Sequence, residues 1–472
     1  MKSPNYLYTL MLVAAFAAGC KVSKDVAKPA DATPVAYRFA SPADQQDSAG
    51  IAAVPLKNFI TEPGIQQLID TALARNYDLQ LAVKNIEASE LLFKQSRLGN
   101  LPTINLQITA SSSRPSDNSL NGLSASQFLK TSHIEDYNAN VGLSWEADIW
   151  GKIKSQKQAA LATYLQTTEV KKAVQTRLIA NVAQGYYQLL MMDAQLAVAQ
   201  KNLALNDSTL RIIHMQFDAG QVTSLAIQQA EAQQLVAAQL VPQLEQNIAI
   251  QENALRILTG QLPAPVTRLA SLEQTQVPTQ LSAGLPSSMV GRRPDVRSAE
   301  LALNIANARV GITKASLYPT LSISASGGLN SFKASNWFNV PASLFGVATG
   351  GLTQPIFQRK QLKTQYELAK IDREKTVIQF RQSVLNAVGE VSDELVKIEK
   401  LKAQYDISSK RVSTLQQAVK NANLLFRNGM ATYLEVITAQ SNSLQSELEL
   451  AAIKTAQLTA SVELYRSLGG GI

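Results

Sequence analysis

Alternation of apolar and polar residues with a period of two marks four segments of this chain. The clearest is 104–111; the others are 141–149, 321–326 and a glycine-rich stretch near 345–357. In the first, Ile104 and Leu106 point to one face, while Asn105 and Gln107 point to the other. A period of two is typical of a β-strand whose faces meet different surroundings. The chain is therefore predicted to contain four strands.

Apolar residues recur at every seventh position in two longer stretches, one after each pair of predicted strands. The first stripe is Val182, Leu189, Leu196, Leu203, Leu210 and Phe217, and the second is Val391, Ile398, Tyr405, Val412, Val419 and Phe426. A seven-residue repeat predicts long helices that pack with a left-handed supercoil. Both stripes end in Phe-x-x-Gly, so Gly220 and Gly429 predict a turn from which a new helix returns.

The two halves of the chain repeat one pattern. Asp78 and Asp295 are 217 positions apart, as are Pro102 and Pro319, and the two aspartates are interpreted as helix N-caps. An internal repeat of this length implies that one supersecondary unit occurs twice. Each unit is predicted to contain a helix, two strands, a long helix, a turn and a returning helix. The first repeat is assigned to 61–260, a linker to 261–286 and the second repeat to 287–472.

The N-terminus has the features of a lipoprotein signal. Lys2, an apolar stretch at 7–16 and three small residues precede Cys20, the only cysteine. Residues 1–19 are therefore predicted to be a signal peptide. Cys20 resembles the acylated cysteine of a bacterial lipobox, with a free thiol as the alternative. Residues 20–60, rich in Ala, Pro, Asp and Ser, are predicted to form a lipid-anchored extended leader.

The predicted strands fit a membrane better than a soluble two-faced sheet. The residues opposite the apolar rows are mostly uncharged, and Trp145, Trp150 and Trp337 lie in or beside the strand segments. Such aromatic residues are typical of the girdles of outer-membrane barrels. After the signal peptide no apolar run reaches the ~20 residues of a transmembrane helix, so strands are the predicted spanning elements. Since four strands cannot close a barrel, three chains are predicted to share one.

Composition argues against nucleic-acid binding and catalysis. The formal charge is +8, but no Lys/Arg cluster with interleaved aromatic residues occurs, so nucleic acid is not an expected partner. His133 and His214 are the only histidines, and neither has Cys or carboxylate partners at metal-ligand spacing. No Gly-rich phosphate loop or nucleophile elbow is present. Neither a cofactor, a metal nor an enzymatic activity is expected.

The chain resembles the TolC-like outer membrane factors, in particular the lipid-anchored efflux outer-membrane channels of resistance-nodulation-division systems. The duplicated halves, the segments 145–151 and 292–296, and the turns at Gly220 and Gly429 carry this resemblance across the mature chain. The family implies a mixed α and β membrane protein, a trimer with a 12-stranded transmembrane barrel continued by a long periplasmic α-helical barrel. It implies a gated outer-membrane exit channel that passes small molecules with a periplasmic adaptor and an inner-membrane pump.

The same resemblance assigns roles to residues near the turns. Leu434 is predicted to form an apolar constriction and Glu435 a carboxylate ring across three chains, which would make the closed pore cation-selective and pH-sensitive. The alternative for Glu435 is a solvated helix residue. Thr438 stands where family members often carry a further Asp. The turn residues predicted to dock the adaptor are Gly220, Gln221 and Val222 in the first turn and Gly429, Met430 and Ala431 in the second.

Two alternative functions remain open from sequence alone. A channel of this kind could instead serve one-step protein secretion; the lipobox favours efflux. A periplasmic coiled-coil adaptor or structural lipoprotein would also have long helices, but it would not need two matched strand pairs with aromatic belts.

Overall fold

The computed structural model of the protein describes residues 25–29, 34, 36–38, 50–278 and 281–471. Cys20 and the predicted signal peptide lie outside the described residues. Packing divides the chain into two compact units, which we call the sheet unit and the helical unit. The sheet unit comprises Met1–Lys28, Glu87–Leu165 and Leu301–Ile378, and the helical unit comprises Pro29–Ile86, Gln166–Glu300 and Gln379–Ile472.

Helices predominate among the described residues. The helices are α1 (Leu56–Phe59), α2 (Pro63–Arg75), α3 (Tyr77–Arg97), α4 (Leu120–Ser124), α5 (Lys152–Asp218), α6 (Ser224–Leu258), α7 (Pro286–Arg292), α8 (Pro294–Ala315), α9 (Gln361–Arg427) and α10 (Tyr433–Ser467). The strands are β1 (Thr103–Ser113), β2 (Ile134–Ala147), β3 (Thr320–Ser331) and β4 (Leu344–Thr353). Single turns of other helix types occur at Ile51–Ala53, Ala125–Leu129 and Ala334–Asn336.

The four predicted strands are present and form one antiparallel sheet in the order β1-β2-β3-β4. Thr103 lies opposite Ser144, and Thr320 lies opposite Thr353. The start of β1, the end of β2, the start of β3 and the end of β4 therefore share one edge. We call it the helix edge, because α3, α5, α8 and α9 adjoin it in the chain. The opposite edge, with the connections 114–133 and 332–343, is the loop edge.

Strand β2 is longer than its alternating pattern predicts. It begins at Ile134, seven residues before the predicted start, and pairs with β1 as far as Ser113. The acidic pair Glu135 and Asp136 breaks the alternation, but backbone pairing satisfies the N–H and C=O groups whatever the side chains are.

The apolar row of β1 is uncovered in the single chain. Ile104, Leu106 and Ile108 are 66%, 69% and 64% exposed. An apolar surface of this kind needs cover from lipid or from another chain. Separately, none of the helices within the described residues is both long and apolar enough to cross a membrane.

The helical unit contains long stretches of two hairpins with matching dimensions. Helices α5 and α9 each contain 67 residues, and the returning helices α6 and α10 each contain 35. At ~1.5 Å per residue each long helix extends for roughly 100 Å. Pro242 lies within α6, which continues on both sides of it.

The predicted apolar stripe of α5 is only partly correct. Val182 and Leu189 are fully buried, but Phe217 is 41% exposed. In the second half of the helix the buried row is Ala199, Asn202, Asn206, Thr209 and Ile213. Steps of three and four residues keep this row on one helix face. Because three members of this row are polar, a search for repeated apolar residues does not find it.

Asn202, Asn206 and Thr209 of α5 and Gln440 of α10 form a buried group that we call the polar seam. Asn202 Nδ2 donates to the backbone oxygen of Gln440 at 3.4 Å, and Gln440 Nε2 donates to Thr209 Oγ1 at 3.0 Å. Asn206 Nδ2 donates to Asn202 Oδ1 at 2.8 Å. Gln440 is 1% exposed, and its Oε1 has no hydrogen-bond partner among the described residues. The seam therefore contains one buried acceptor that is left unsatisfied.

The N-cap interpretation of the two repeated aspartates is wrong. Asp78 is the second residue of α3, and the side chain that caps the helix is Asn76, whose Oδ1 accepts the N–H of Leu79 at 3.0 Å. Asp295 is likewise the second residue of α8, and its carboxylate binds the Arg293 guanidinium at 3.0 and 2.6 Å. The Asn76 amide, two positions before Asp78, caps α3, and the buried Arg293 binds the Asp295 carboxylate.

Candidate gate and docking turns

The two turns of the helical unit have the same backbone construction. Gly220 and Gly429 have φ values of 73° and 72°, a left-handed conformation that glycine adopts without steric cost. After α5, the N–H of Gln221 donates to Gln216 O at 2.8 Å, and after α9, the N–H of Met430 donates to Leu425 O at 2.8 Å. These bonds satisfy the last carbonyls of each long helix. The glycines are thus explained by turn geometry, whatever else the turns do.

A small apolar core, which we call the tip core, joins the two turns. It consists of Ile213, Ala226, Ala230, Phe426 and Val436, with Val222 and Tyr433 packed against it. Members come from all four long helices, α5, α6, α9 and α10. Both predicted docking turns are therefore brought together in the helical unit.

The predicted docking residues differ in exposure. Gly220, Gln221, Gly429 and Met430 are exposed, with Met430 at 69%. Val222 and Ala431 are half-buried, and Val222 packs on the tip core. Of the six predicted docking residues, two glycines, one glutamine and one methionine are therefore exposed.

Leu434 stands in the first turn of α10 with its side chain 56% exposed. Its counterpart in the first half, Leu225, is 55% exposed. The next residues differ, because Ala226 is fully buried in the tip core whereas Glu435 is exposed. The two halves therefore differ at this position both in sequence, Ala226 against Glu435, and in side-chain environment.

Glu435 is bound to the start of its own helix. Its Oε2 accepts the Thr432 hydroxyl at 2.6 Å and also accepts the Thr432 backbone N–H. This is the reciprocal arrangement of a capping box. The hydroxyl bond first, and the backbone bond second, lower the pKa of Glu435 below its usual value. The carboxylate is therefore held ionised, and it has a structural role in addition to the one predicted.

A contact between the two hairpins lies beside these residues and was not predicted. The Tyr433 hydroxyl donates a hydrogen bond of 2.6 Å to Gln229 Oε1, joining the first turn of α10 to α6. Nothing in the spacing of Tyr433 identifies its partner, because helix α6 offers several glutamines.

The two histidines belong to different units, His133 to the sheet unit and His214 to the helical unit. His133 Nδ1 lies 3.0 Å from the Ser132 hydroxyl. Within the described residues no group of three or more His, Cys, Asp or Glu side chains could hold a metal ion.

Two hydrogen bonds hold the leader at Val26, close to Cys20 in the sequence. The Val26 N–H donates to Asn307 Oδ1 at 3.2 Å, and Asn307 Nδ2 donates to the Val26 backbone oxygen at 3.1 Å. Both residues belong to the sheet unit, and Asn307 is buried. One amide therefore holds the leader by both polar groups of a single residue, six positions after the predicted lipid site.

The chain is similar to known outer membrane efflux proteins over most of its length. A family model described as outer membrane efflux protein matches residues 68–261 and 285–470. The probable efflux pump outer membrane protein TtgC of Pseudomonas putida is 28% identical over 471 residues, covering 98% of this chain and 95% of that protein. The cation efflux system protein CusC of Escherichia coli is 27% identical over 462 residues, 96% of each chain.

A solved structure with the same fold is the open state of the MtrE outer membrane channel of Neisseria gonorrhoeae. It superposes with a TM-score of 0.82 at 25% identity, covering 96% of this chain and 98% of that chain.

Proposed function

The chain belongs to the outer membrane efflux protein family, and on that premise we propose that three copies of it form the exit channel of a tripartite efflux pump. The channel carries small molecules from the periplasm across the outer membrane to the exterior. The observation that carries the proposal is the pairing of one four-stranded sheet with two helical hairpins of equal length. This is the arrangement expected of a protomer that supplies part of a barrel and part of a helical tunnel.

The trimer follows from the needs of the sheet. In a single chain the outer strands β1 and β4 each have one side without a neighbouring strand. The unpaired backbone N–H and C=O groups on such a side are not tolerated in lipid. Joining the edges of three chains gives twelve strands, an even number with room for an aqueous lumen. The exposed apolar row of β1 would then face lipid. The two similar halves of each chain would give the helical tunnel an approximate six-fold symmetry.

The proposed gate lies at the start of α10. Leu434 is exposed in the single chain and is free to meet its two symmetry mates as an apolar constriction. Glu435 would place a ring of three carboxylates beside it. Because the Thr432 bonds keep each carboxylate ionised, the ring would attract cations into the closed pore.

The proposed partners are a periplasmic adaptor and an inner-membrane pump. The adaptor would bind the two turns, namely Gly220, Gln221 and Val222 together with Gly429, Met430 and Ala431. Substrate choice belongs to the pump, since a wide aqueous lumen selects little. Cys20 would carry the lipid, and Asn307 would hold the leader six residues further along the chain.

The test is deletion of the gene, followed by complementation. Loss of the chain should raise the intracellular accumulation of a fluorescent pump substrate, and the wild-type chain should restore export. Unchanged accumulation of every substrate tested, in a strain with no second outer-membrane channel, would contradict the proposal.

A further inference from the structure

The positive charge of the sheet unit is concentrated at the helix edge. Four junction segments join sheet and helices there, and they are 94–102, 148–157, 311–319 and 354–363. Together they contain nine Lys or Arg residues and one acidic residue, Asp148. The loop-edge connections 114–133 and 332–343 contain three basic residues and one acidic residue, and Glu135 and Asp136 at the adjoining end of β2 balance them. The excess of eight positive charges at the helix edge equals the formal net charge of the entire chain.

Most of this charge is not neutralised by the protein. Lys94 binds Glu90 at 2.6 Å and Lys152 binds Glu146 at 3.0 Å. Asp148 is occupied by the backbone N–H groups at the start of α5. The other seven cations have no ion-pair partner in the described part of the chain, and we call them the basic belt. They are Arg97, Lys154, Lys157, Lys314, Arg359, Lys360 and Lys363.

Helix energetics do not explain the belt. Arg97 and Lys314 lie in the last turns of α3 and α8, where a positive charge is favourable. Lys154 and Lys363, however, lie in the first turns of α5 and α9, where a positive charge opposes the helix dipole. Neither of these first turns contains an acidic residue. At the start of α5 the Asp148 carboxylate already offsets part of this cost, whereas at the start of α9 an anion from outside the chain would offset it.

Exposed apolar residues adjoin the basic belt. Ile356 and Phe357 are 96% and 82% exposed, and they precede Arg359 by only a few residues. Trp150 stacks on Tyr318 with ring centroids 4.8 Å apart. Exposed apolar groups, an aromatic pair and unpaired cations occur together where acyl chains meet charged headgroups. This combination identifies the class of ligand.

We propose that the basic belt binds anionic phospholipid headgroups, of the phosphatidylglycerol class, in the periplasmic leaflet of the outer membrane. The proposal rests on the proposed function, because it requires that the sheet spans the membrane with the helix edge toward the periplasm. Phosphates contact Lys and Arg, while the acyl chains cover Ile356 and Phe357. The loop edge, with balanced charge, has no such preference.

The test compares two triple variants in the full-length trimer. Arg359→Gln, Lys360→Gln and Lys363→Gln remove three charges from the belt, whereas Arg114→Gln, Lys130→Gln and Lys333→Gln remove three from the loop edge. Trimers are reconstituted in nanodiscs of equimolar phosphatidylglycerol and phosphatidylcholine, and native mass spectrometry measures the lipids that remain bound. Each Lys or Arg near an anionic surface contributes a factor of roughly five. The belt variant should therefore lose phosphatidylglycerol preference by on the order of ten-fold or more, and the control should retain it.

Equal retention of both lipids by the wild type, or equal losses in the two triple variants, would overturn the proposal. If the belt variant fails to form trimers, a salt titration of the wild type decides. High salt should abolish the preference, because exposed charges are screened, and a preference that persists would contradict the belt. Conductance in neutral-lipid bilayers separates the two proposals: conducting trimers without lipid preference reject only the belt, whereas non-conducting trimers count against the channel.

Discussion

The Tyr433 hydroxyl donates a 2.6 Å hydrogen bond to Gln229 Oε1, so the helix that carries Leu434 and Glu435 is fastened to the opposite hairpin. An opening movement that separates α10 from α6 must break this bond. Tyr433→Phe should therefore shift the resting channel toward open states, increasing single-channel conductance or open time in planar bilayers. Tyr405→Phe is the matched control, because Tyr405 lies on α9 away from the turns. Identical conductance and open time in both variants would show that the Tyr433–Gln229 bond does not hold the channel closed.

Glu435 should control the charge selectivity of the closed channel. Glu435→Ala removes the proposed carboxylate ring, so the permeability ratio of cations to anions should fall toward that of an uncharged pore. Glu231→Ala, a change at an exposed acid of α6, serves as the control. Unchanged cation selectivity in Glu435→Ala would reject the ring.

The pH dependence of that selectivity follows from the Thr432 hydrogen bonds. Because they lower the pKa of Glu435, the carboxylate remains charged at pH values where an ordinary Glu begins to protonate. In a ring of three carboxylates mutual repulsion acts in the opposite direction, so the test compares two channels. Thr432→Val removes the hydroxyl donor, and its cation selectivity should be lost at a higher pH than that of the wild type. Loss of selectivity at the same pH in both channels would contradict this assignment.

Bulky residues on both turns should block docking without loss of the trimer. Gln221→Trp and Met430→Trp place large side chains at exposed positions and avoid the two left-handed glycines, whose substitution would strain the backbone. We expect drug resistance to be abolished while heat-modifiable trimers and bilayer conductance stay at wild-type levels. Normal resistance in the double variant would exclude adaptor binding at the turns.

The polar seam should tolerate loss of its unsatisfied member. Gln440→Leu removes a buried acceptor without a partner, and the Thr209 hydroxyl still donates to Leu205 O at 3.0 Å. The melting temperature of the trimer should therefore stay the same or rise. Gln457→Leu is the comparison, since it loses a 3.1 Å bond to Leu401 O and should cost about 1 kcal/mol. A large loss of stability in Gln440→Leu would show that the seam needs its amide.

Acid stability should depend on Asp295. Burial raises the pKa of Asp295, but the Arg293 guanidinium outweighs burial and holds the pKa below its usual value. A lowered pKa contributes stability that is present above the ordinary Asp pKa of about 4 and is lost as pH falls through the folded value. Asp295→Asn should reduce the decrease in the melting temperature as the pH falls through this range. The surface substitution Asp70→Asn should leave it unchanged.

The strands, hairpins and family were accessible from the sequence because each rests on a repeated local pattern. Alternation identifies β1 and β3, Gly220 and Gly429 identify the turns, and the family resemblance is confirmed by the match to outer membrane efflux proteins. The contacts between residues on different helices could not be predicted from the sequence. The buried row that ends at Ile213 contains polar residues, and its apolar period is therefore hidden.

One side chain was misread and one was described incompletely. Asp78 has the residue type of an N-cap, but Asn76 occupies the capping position, which only the start of α3 reveals. The ring predicted for Glu435 remains a proposal, and its bond to Thr432, three residues earlier, is an additional role that was not predicted. Hydrogen bonds of this kind form only when the helix begins at one particular residue, and the sequence pattern does not locate the start of a helix that closely.

The central claim, that three copies of this chain form a water-filled channel through the outer membrane, is tested most directly by bilayer conductance. Purified full-length protein that migrates as a heat-modifiable trimer is added to a neutral planar bilayer. The account predicts discrete, cation-selective conductance steps that disappear when the trimers are dissociated by heat before addition. Trimers that insert but give no conductance, or conductance that survives dissociation, would contradict it.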